Sequence, residues 1–145
     1  MSEPADGPVV LDTHVWIWMV EGTRGALSES AIEAIEDAGR RGAVRVSAIS
    51  VWEVAMLEAG GRISLSRPIE DWVRAALRVP GIRLLPLNPE IAVASTRLPG
   101  DPHGDPVDRM LMASARVSGG LLATCDRAIL NYSQGGQLAV IDARA

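Results

Sequence analysis

The sequence predicts an α/β domain: a mostly parallel central sheet of four to five strands, flanked by helices. Short apolar runs alternate with longer stretches whose apolar residues recur at helical spacing, and this continues along the whole chain. Gly or Pro punctuates most of the junctions. Two of the apolar runs end directly on an aspartate, Asp12 and Asp126. In parallel sheets that position lies beyond the carboxyl ends of the strands, where ligands bind.

The elements follow in order. Val9, Val10 and Leu11 come after Gly7-Pro8 and read as a buried strand at 9–11. Asp12 ends it, and residues 13–20 begin a helix that Glu21-Gly22 and Gly25 break. A helix follows from about 28 to 41, with Ser30 and Glu33 at capping-box spacing, Ile32, Ile35 and Ala38 as the buried stripe, and Gly42 as its stop. Residues 44–47 read as the second strand, with Val44 and Val46 on one face. Ser50 then opens the helix SVWEVAMLEA, and Glu53 is three residues on, so Glu53 either caps reciprocally with Ser50 or serves a site. Gly60-Gly61 end this helix. Pro68 starts another, IEDWVRAAL, with Ile69, Trp72, Val73 and Ala76 on one face. Pro80-Gly81 turns the chain into an apolar strand at 82–87.

Asn88 caps the helix PEIAVASTRL, with Pro89 at its first position. The loop PGDPHGDP is irregular. Asp105 suits an N-cap and Pro106 a first helical turn. Val107, Met110, Leu111, Ser114 and Val117 then repeat at helical spacing. Gly119-Gly120 precede a strand at 121–125, then come Asp126, the short helix RAILNY and a fifth strand at 137–141.

The chain has 145 residues, which fits one domain spanning 1–145 with its core at about 9–142. Hydrophobic residues make up 48% and Phe is absent, so aliphatic residues and four Trp must fill the core. The net charge of −4 is a poor global match for a nucleic-acid binder, but a cluster of four carboxylates in one site would account for it. All 14 basic residues are Arg. A single Cys, Cys125, excludes an intramolecular disulfide and a Cys-based zinc site. The N-terminus MSEPADGPVV carries no basic n-region or apolar h-region, and no apolar run approaches a membrane span. A soluble cytoplasmic protein is expected.

Asp105 and Asp108 lie at a helix N-terminus, which favours negative charge. If Asp12, Glu53, Asp108 and Asp126 meet at one sheet edge, each pair about 5 Å apart repels by roughly 3 kcal/mol at an effective dielectric near 20. Such a site must protonate, scatter its charges or bind a cation. An all-oxygen acidic site suits Mg²⁺, or Mn²⁺ as a substitute, and Mg²⁺ takes substrate phosphates as remaining ligands. The natural chemistry is phosphodiester hydrolysis.

The segments VVLDTHVWIW, SAISVWEVAML, HGDPVDRMLMASAR and LLATCDRAIL, taken together and in this order, resemble the acidic motifs of PIN-domain ribonucleases, in particular the VapC-type toxins of VapBC toxin–antitoxin pairs. The resemblance spans about residues 9–130. It implies a PIN-like fold and a Mg²⁺-dependent endoribonuclease. Asp12, Glu53, Asp108 and Asp126 are then the metal-binding catalytic acids, with Asp105 an additional acid able to reach the metal through water. Thr124 resembles the family's hydroxyl that supports the first Asp. The resemblance further implies a homodimer, an RNA substrate and a VapB-like antitoxin covering the acidic site. The absence of Lys is atypical and bears on how RNA is held.

Other residues carry two readings each. His14 is a general base or a packed helix residue. His103 touches RNA or faces solvent. Arg109 and Arg127 each follow a proposed metal acid and either hold phosphate or pair with the acids. Trp16, Trp18 and Trp52 read as core before base-stacking platforms. Trp16 and Trp18, two apart on one helix, cannot face the same way, which sends one to an interface with an antitoxin or a second copy. Two other functions compete with the nuclease. One is a catalytically silent PIN-like scaffold binding RNA or protein, with no reason to bear clustered acids. The other is a phosphatase using Asp12 as nucleophile, which wants a second Asp where His14 stands.

Overall fold

The computed structural model describes residues 7–102 and 104–145. Among them are five strands, β1 (Val9–Leu11), β2 (Val44–Ser47), β3 (Ile82–Leu85), β4 (Leu121–Thr124) and β5 (Val140–Asp142). They form one parallel sheet in the order β3-β2-β1-β4-β5. Seven α-helices accompany them: α1 (Thr13–Glu21), α2 (Glu29–Arg40), α3 (Ala48–Ala59), α4 (Ile69–Leu77), α5 (Pro89–Ser95), α6 (Pro106–Ser118) and α7 (Arg127–Ser133). The α/β class with a parallel sheet is as the alternation predicts.

The sheet is covered on both faces, which explains why β1 does not alternate. Val9 and Leu11 enter a core with Trp16, Ile32, Ile35, Val54 and Trp72. Val10, on the opposite side, packs with Ile91, Leu111, Met112, Leu122 and Ile129. All three β1 residues are buried. Fully burying each such side chain contributes about 1.5–3 kcal/mol. Trp16 and Trp72 meet edge to face at 5.0 Å between ring centroids, and the Trp72 indole N–H donates to Glu21 Oε2 at 2.9 Å.

The boundaries differ from the sequence expectation where a competing signal is stronger. β3 stops at Leu85 rather than continuing to residue 87, because Pro86 has no N–H to give the ladder. The α5 helix ends at Ser95, short of the predicted Leu98. Strand β5 begins at Val140, later than expected. Ser28, not Ser30, caps α2, accepting from Ala31 N at 3.1 Å. Ser47, not Ser50, caps α3, accepting from Ile49 N at 3.1 Å, so α3 begins earlier and Ser50 lies inside it. At the α4–β3 turn, Gly81 (φ 90°) lets the chain pass Gly39 so closely that a Cβ would stand 2.0 Å from the Gly39 carbonyl oxygen.

Candidate acidic active site

From β1 the chain moves outward to β2 and β3, then returns past β1 to β4 and β5. The direction of winding therefore reverses between β1 and β4, and a crevice opens there beyond the strand ends. Asp12 and Asp126 both leave the sheet at this point. The β1–β4 register pairs Leu11 with Ala123, and Asp12 N donates to Ala123 O at 2.9 Å.

Asp12 is the N-cap of α1. Its Oδ1 accepts from Thr13 N at 2.7 Å and its Oδ2 from the Thr124 hydroxyl at 2.6 Å. Thr124 is fully buried, and its Oγ1 also accepts from Asp126 N at 3.0 Å, so one hydroxyl orients two acids. Asp126 in turn caps α7, accepting from Ile129 N at 3.0 Å. Asp105 caps α6, accepting from Asp108 N at 2.8 Å, with Pro106 in the first turn. Glu53 projects from α3. Ser50, one turn earlier, is fully buried and shares a 2.9 Å hydrogen bond with the buried Thr13 hydroxyl. That bond ties α3 to the start of α1. It also removes Ser50 as a capping partner, so the reciprocal cap with Glu53 is not formed.

These side chains line one cleft of about 310 Å³: Asp12, Glu53, Asp105, Asp108 and Asp126, with His14, Trp18 and Cys125. Its electrostatics are those of uncompensated negative charge. Burial, then the charges of Asp105, Asp12, Asp126 and Glu53, pushes the Asp108 carboxyl up from 3.8 to about 7. Burial also raises Asp12, against the opposing hydrogen bonds from Thr124 and Thr13 and the positive influence of His14. Burial and the Asp12 charge raise the Cys125 thiol, which stays protonated and is a poor nucleophile. A larger, mostly apolar cleft of about 530 Å³ lies between α1, α2 and the turn before β3; it carries no convergent acids, so the chemistry belongs to the smaller cleft.

Among the described residues, no three His, Cys, Asp or Glu side chains close on a common point as a preformed metal cage. The acids ring the cleft. Their donor set nevertheless fits a hard divalent cation: carboxylate oxygens, mutually repelling, with no Arg in the lining.

The remaining sequence candidates fall elsewhere. The Arg109 guanidinium is mostly buried and committed to protein acceptors: Ser95 O at 2.9 Å, Pro102 O, and Asp101 Oδ1 at 3.3 Å. It fastens the loop before α6 to the end of α5. Arg127 is exposed. His103 lies outside the described residues. Trp16 is sealed in the core, while Trp18 reaches the acid cleft, so the two indoles do diverge. Trp52, expected in the core, is 52% exposed on α3. Sequence reasoning missed the Thr13–Ser50 pair and the place of Cys125 on the cleft wall. The positions of Thr13 and Cys125 beside Asp12 and Asp126 were the available signal.

A parallel sheet that reverses its winding beside ringed carboxylates is the architecture of a PIN-domain protein. The PIN domain family matches residues 9–134, and the chain belongs to that family. Within it the chain is of the VapC type: it is 35% identical over 125 residues to Ribonuclease VapC22 of Mycobacterium tuberculosis (strain ATCC 25618 / H37Rv), covering 86% of this chain and 91% of that protein. Among solved structures it resembles a chain of VapBC2 from Rickettsia felis bound to a DNA fragment from their promoter (TM-score 0.65, 13% identity, 93% of this chain and 98% of that one). It also resembles one of DNA-bound VapBC from Salmonella typhimurium (TM-score 0.62, 18% identity, 92% and 96%). At those identities the likeness shows the shared fold.

Proposed function

We propose that this chain is the toxin of a VapBC-type pair, a metal-dependent endoribonuclease that hydrolyses RNA phosphodiester bonds at Asp12, Glu53, Asp108 and Asp126. The observation that carries this reading is the gathering of these acids, with Asp105, around one cleft at the sheet's switch point. The relative named a ribonuclease supports it.

In this reading the four acids, with Asp105 at the rim, hold Mg²⁺ or Mn²⁺. When bound, the cation supplies water activation and neutralises charge on the transferred phosphate. The chain's own residues do the rest. Thr124 and Thr13 N fix both oxygens of Asp12, so its orientation is set before any ligand arrives. The α7 N-terminus fixes Asp126. The Thr13–Ser50 bond holds α3 so that Glu53 faces the cleft. Arg109, bound to Ser95 and Pro102, shapes the loop leading to Asp105 instead of gripping phosphate.

A VapB-like antitoxin that covers the acidic cleft is the expected partner, supported by the fold shared with chains of VapBC complexes. A homodimer is proposed through α3, where Trp52 and Met56, one turn apart, are 52% and 48% exposed. We read the chain as one domain working in the cytoplasm; the family match over 9–134 supports the first point, and the lack of any helix among the described residues long and apolar enough to cross a membrane is compatible with the second.

The test is incubation of the purified, antitoxin-free chain with total cellular RNA in Mg²⁺, in chelator, and as Asp12→Asn. Discrete cleavage that disappears with chelator and in the variant is expected. Cleavage by Asp12→Asn at the parental rate would remove the acids from the reaction.

A further inference from the structure

The acid cleft has a second, aromatic wall. His14 and Trp18 lie one helical turn apart on α1, and both line the cleft. Residues four apart share a helix face. Their ring centroids are 5.7 Å apart with planes tilted by 51°. His14 is exposed and Trp18 partly so, whereas Trp16, between them in sequence, is sealed in the core. Among the described residues, neither the His14 ring nor the Trp18 indole N–H has a hydrogen-bond partner.

Among the described residues, the rest of the lining is five carboxylates and a protonated thiol. No Arg among the described residues lines the cleft, Arg109 is engaged with backbone carbonyls, and the chain has no Lys. A polyanion entering here gains nothing from side-chain guanidinium or ammonium groups on the walls. Beyond a bound cation, what the walls offer a nucleic acid is ring surface, and every base has a face that stacks on aromatic rings.

We infer that His14 and Trp18 form a nucleobase subsite, holding one unpaired base of single-stranded RNA beside the phosphate presented to the acids. This rests on the nuclease reading of the same cleft. The subsite admits a base splayed from a loop or single strand and rejects a base stacked within a duplex, whose faces are already covered.

The test uses short single-stranded ribo-oligonucleotides, and the same oligomers with an abasic nucleotide at each position in turn. Binding to the whole chain is read by fluorescence anisotropy in Ca²⁺, and cleavage kinetics in Mg²⁺. One abasic position is expected to weaken binding by about fivefold or more. His14→Ala and Trp18→Leu should weaken the intact oligomer to a similar degree and leave the weakest abasic oligomer unchanged, whereas Trp18→Phe keeps most of the affinity. In cleavage KM rises while kcat stays within about twofold. If Trp18→Leu does not fold, His14→Ala, at an exposed position, decides alone. Wild-type affinity in His14→Ala, or no effect of any abasic position, overturns the subsite, as does the absence of oligomer binding. Equally tight binding of deoxyribo-oligomers overturns the assignment to RNA. Base-dependent binding without cleavage of any RNA would leave the subsite standing and remove the nuclease reading.

Discussion

Asp12 is held by two donors, and Thr124 is the one that can be removed without touching the backbone. Thr124→Val keeps the buried shape but deletes the donor to Asp12 Oδ2 and the acceptor for Asp126 N. Leaving such buried polar groups unpaired costs about 1–3 kcal/mol. We expect the urea midpoint to fall by that equivalent and cleavage to drop at least tenfold, while Thr124→Ser, which keeps the hydroxyl, retains most of both. A valine variant cleaving at the parental rate would show that this bond does not set Asp12. Asp12, Asp105, Asp108 and Asp126 were legible in the sequence because each lies beside a strand end or a helix start; Glu53, in the middle of α3, was legible only through the likeness of its segment to an acidic motif. Arg109 was not, because its acceptors at Ser95 and Pro102 are backbone carbonyls, whose placement no side chain advertises. The exposure of Trp52 was equally hidden, since an indole reads as core unless its helix face is known.

At the scale of elements, the start of α6 combines two roles in one carboxylate. Asp105 caps the helix through Asp108 N and also raises the Asp108 carboxyl by its charge. Substitutions separate these. Asp105→Ala loses the cap and should cost about 1 kcal/mol, whereas Asp105→Ser replaces one good N-cap with another and should melt close to the parent. If the Asp105 charge reaches the cation, Asp105→Ser binds Mn²⁺ several-fold more weakly by calorimetry despite its intact fold. Parental Mn²⁺ affinity would reduce Asp105 to a cap. The α6 start was readable because Asp105-Pro106 is an unambiguous opening signal. The start of α2 was placed correctly at about residue 28 but its cap was given to Ser30 instead of Ser28, and the start of α3 was misplaced because Ser47 competes with Ser50. Either serine of each pair is a competent cap, and tertiary contacts decide. Ser50 is claimed by Thr13 from another element, leaving Ser47 to cap. In the same way Pro86, inside an apolar run, ended β3 earlier than hydropathy alone implied.

For the whole molecule, the acid cleft couples stability to pH and to metal with opposite signs. Unfolded, Asp108 titrates near its ordinary value of 3.8; folded, it titrates at about 7. Between those values the folded chain binds more protons than the unfolded one, so stability falls as pH rises through about 4 to 7. Asp12, also raised, acts in the same direction. The metal-free chain should therefore melt at a higher temperature at pH 5.5 than at pH 7.5, and Asp108→Asn, which is neutral throughout, should flatten that difference. A divalent cation requires the carboxylates ionised and binds only the folded arrangement, so Mn²⁺ should raise Tm at pH 7.5 and much less at pH 5.5. Differential scanning calorimetry in chelator and in millimolar Mn²⁺ reads both slopes. A metal-free Tm that climbs from pH 5.5 to 7.5 would mean that the acids are not crowded enough in solution to oppose one another. A Tm indifferent to Mn²⁺ at pH 7.5 would mean that the ring of carboxylates does not draw in around an ion, and the cleft would lose its claim to metal chemistry whatever its likeness to PIN-domain relatives.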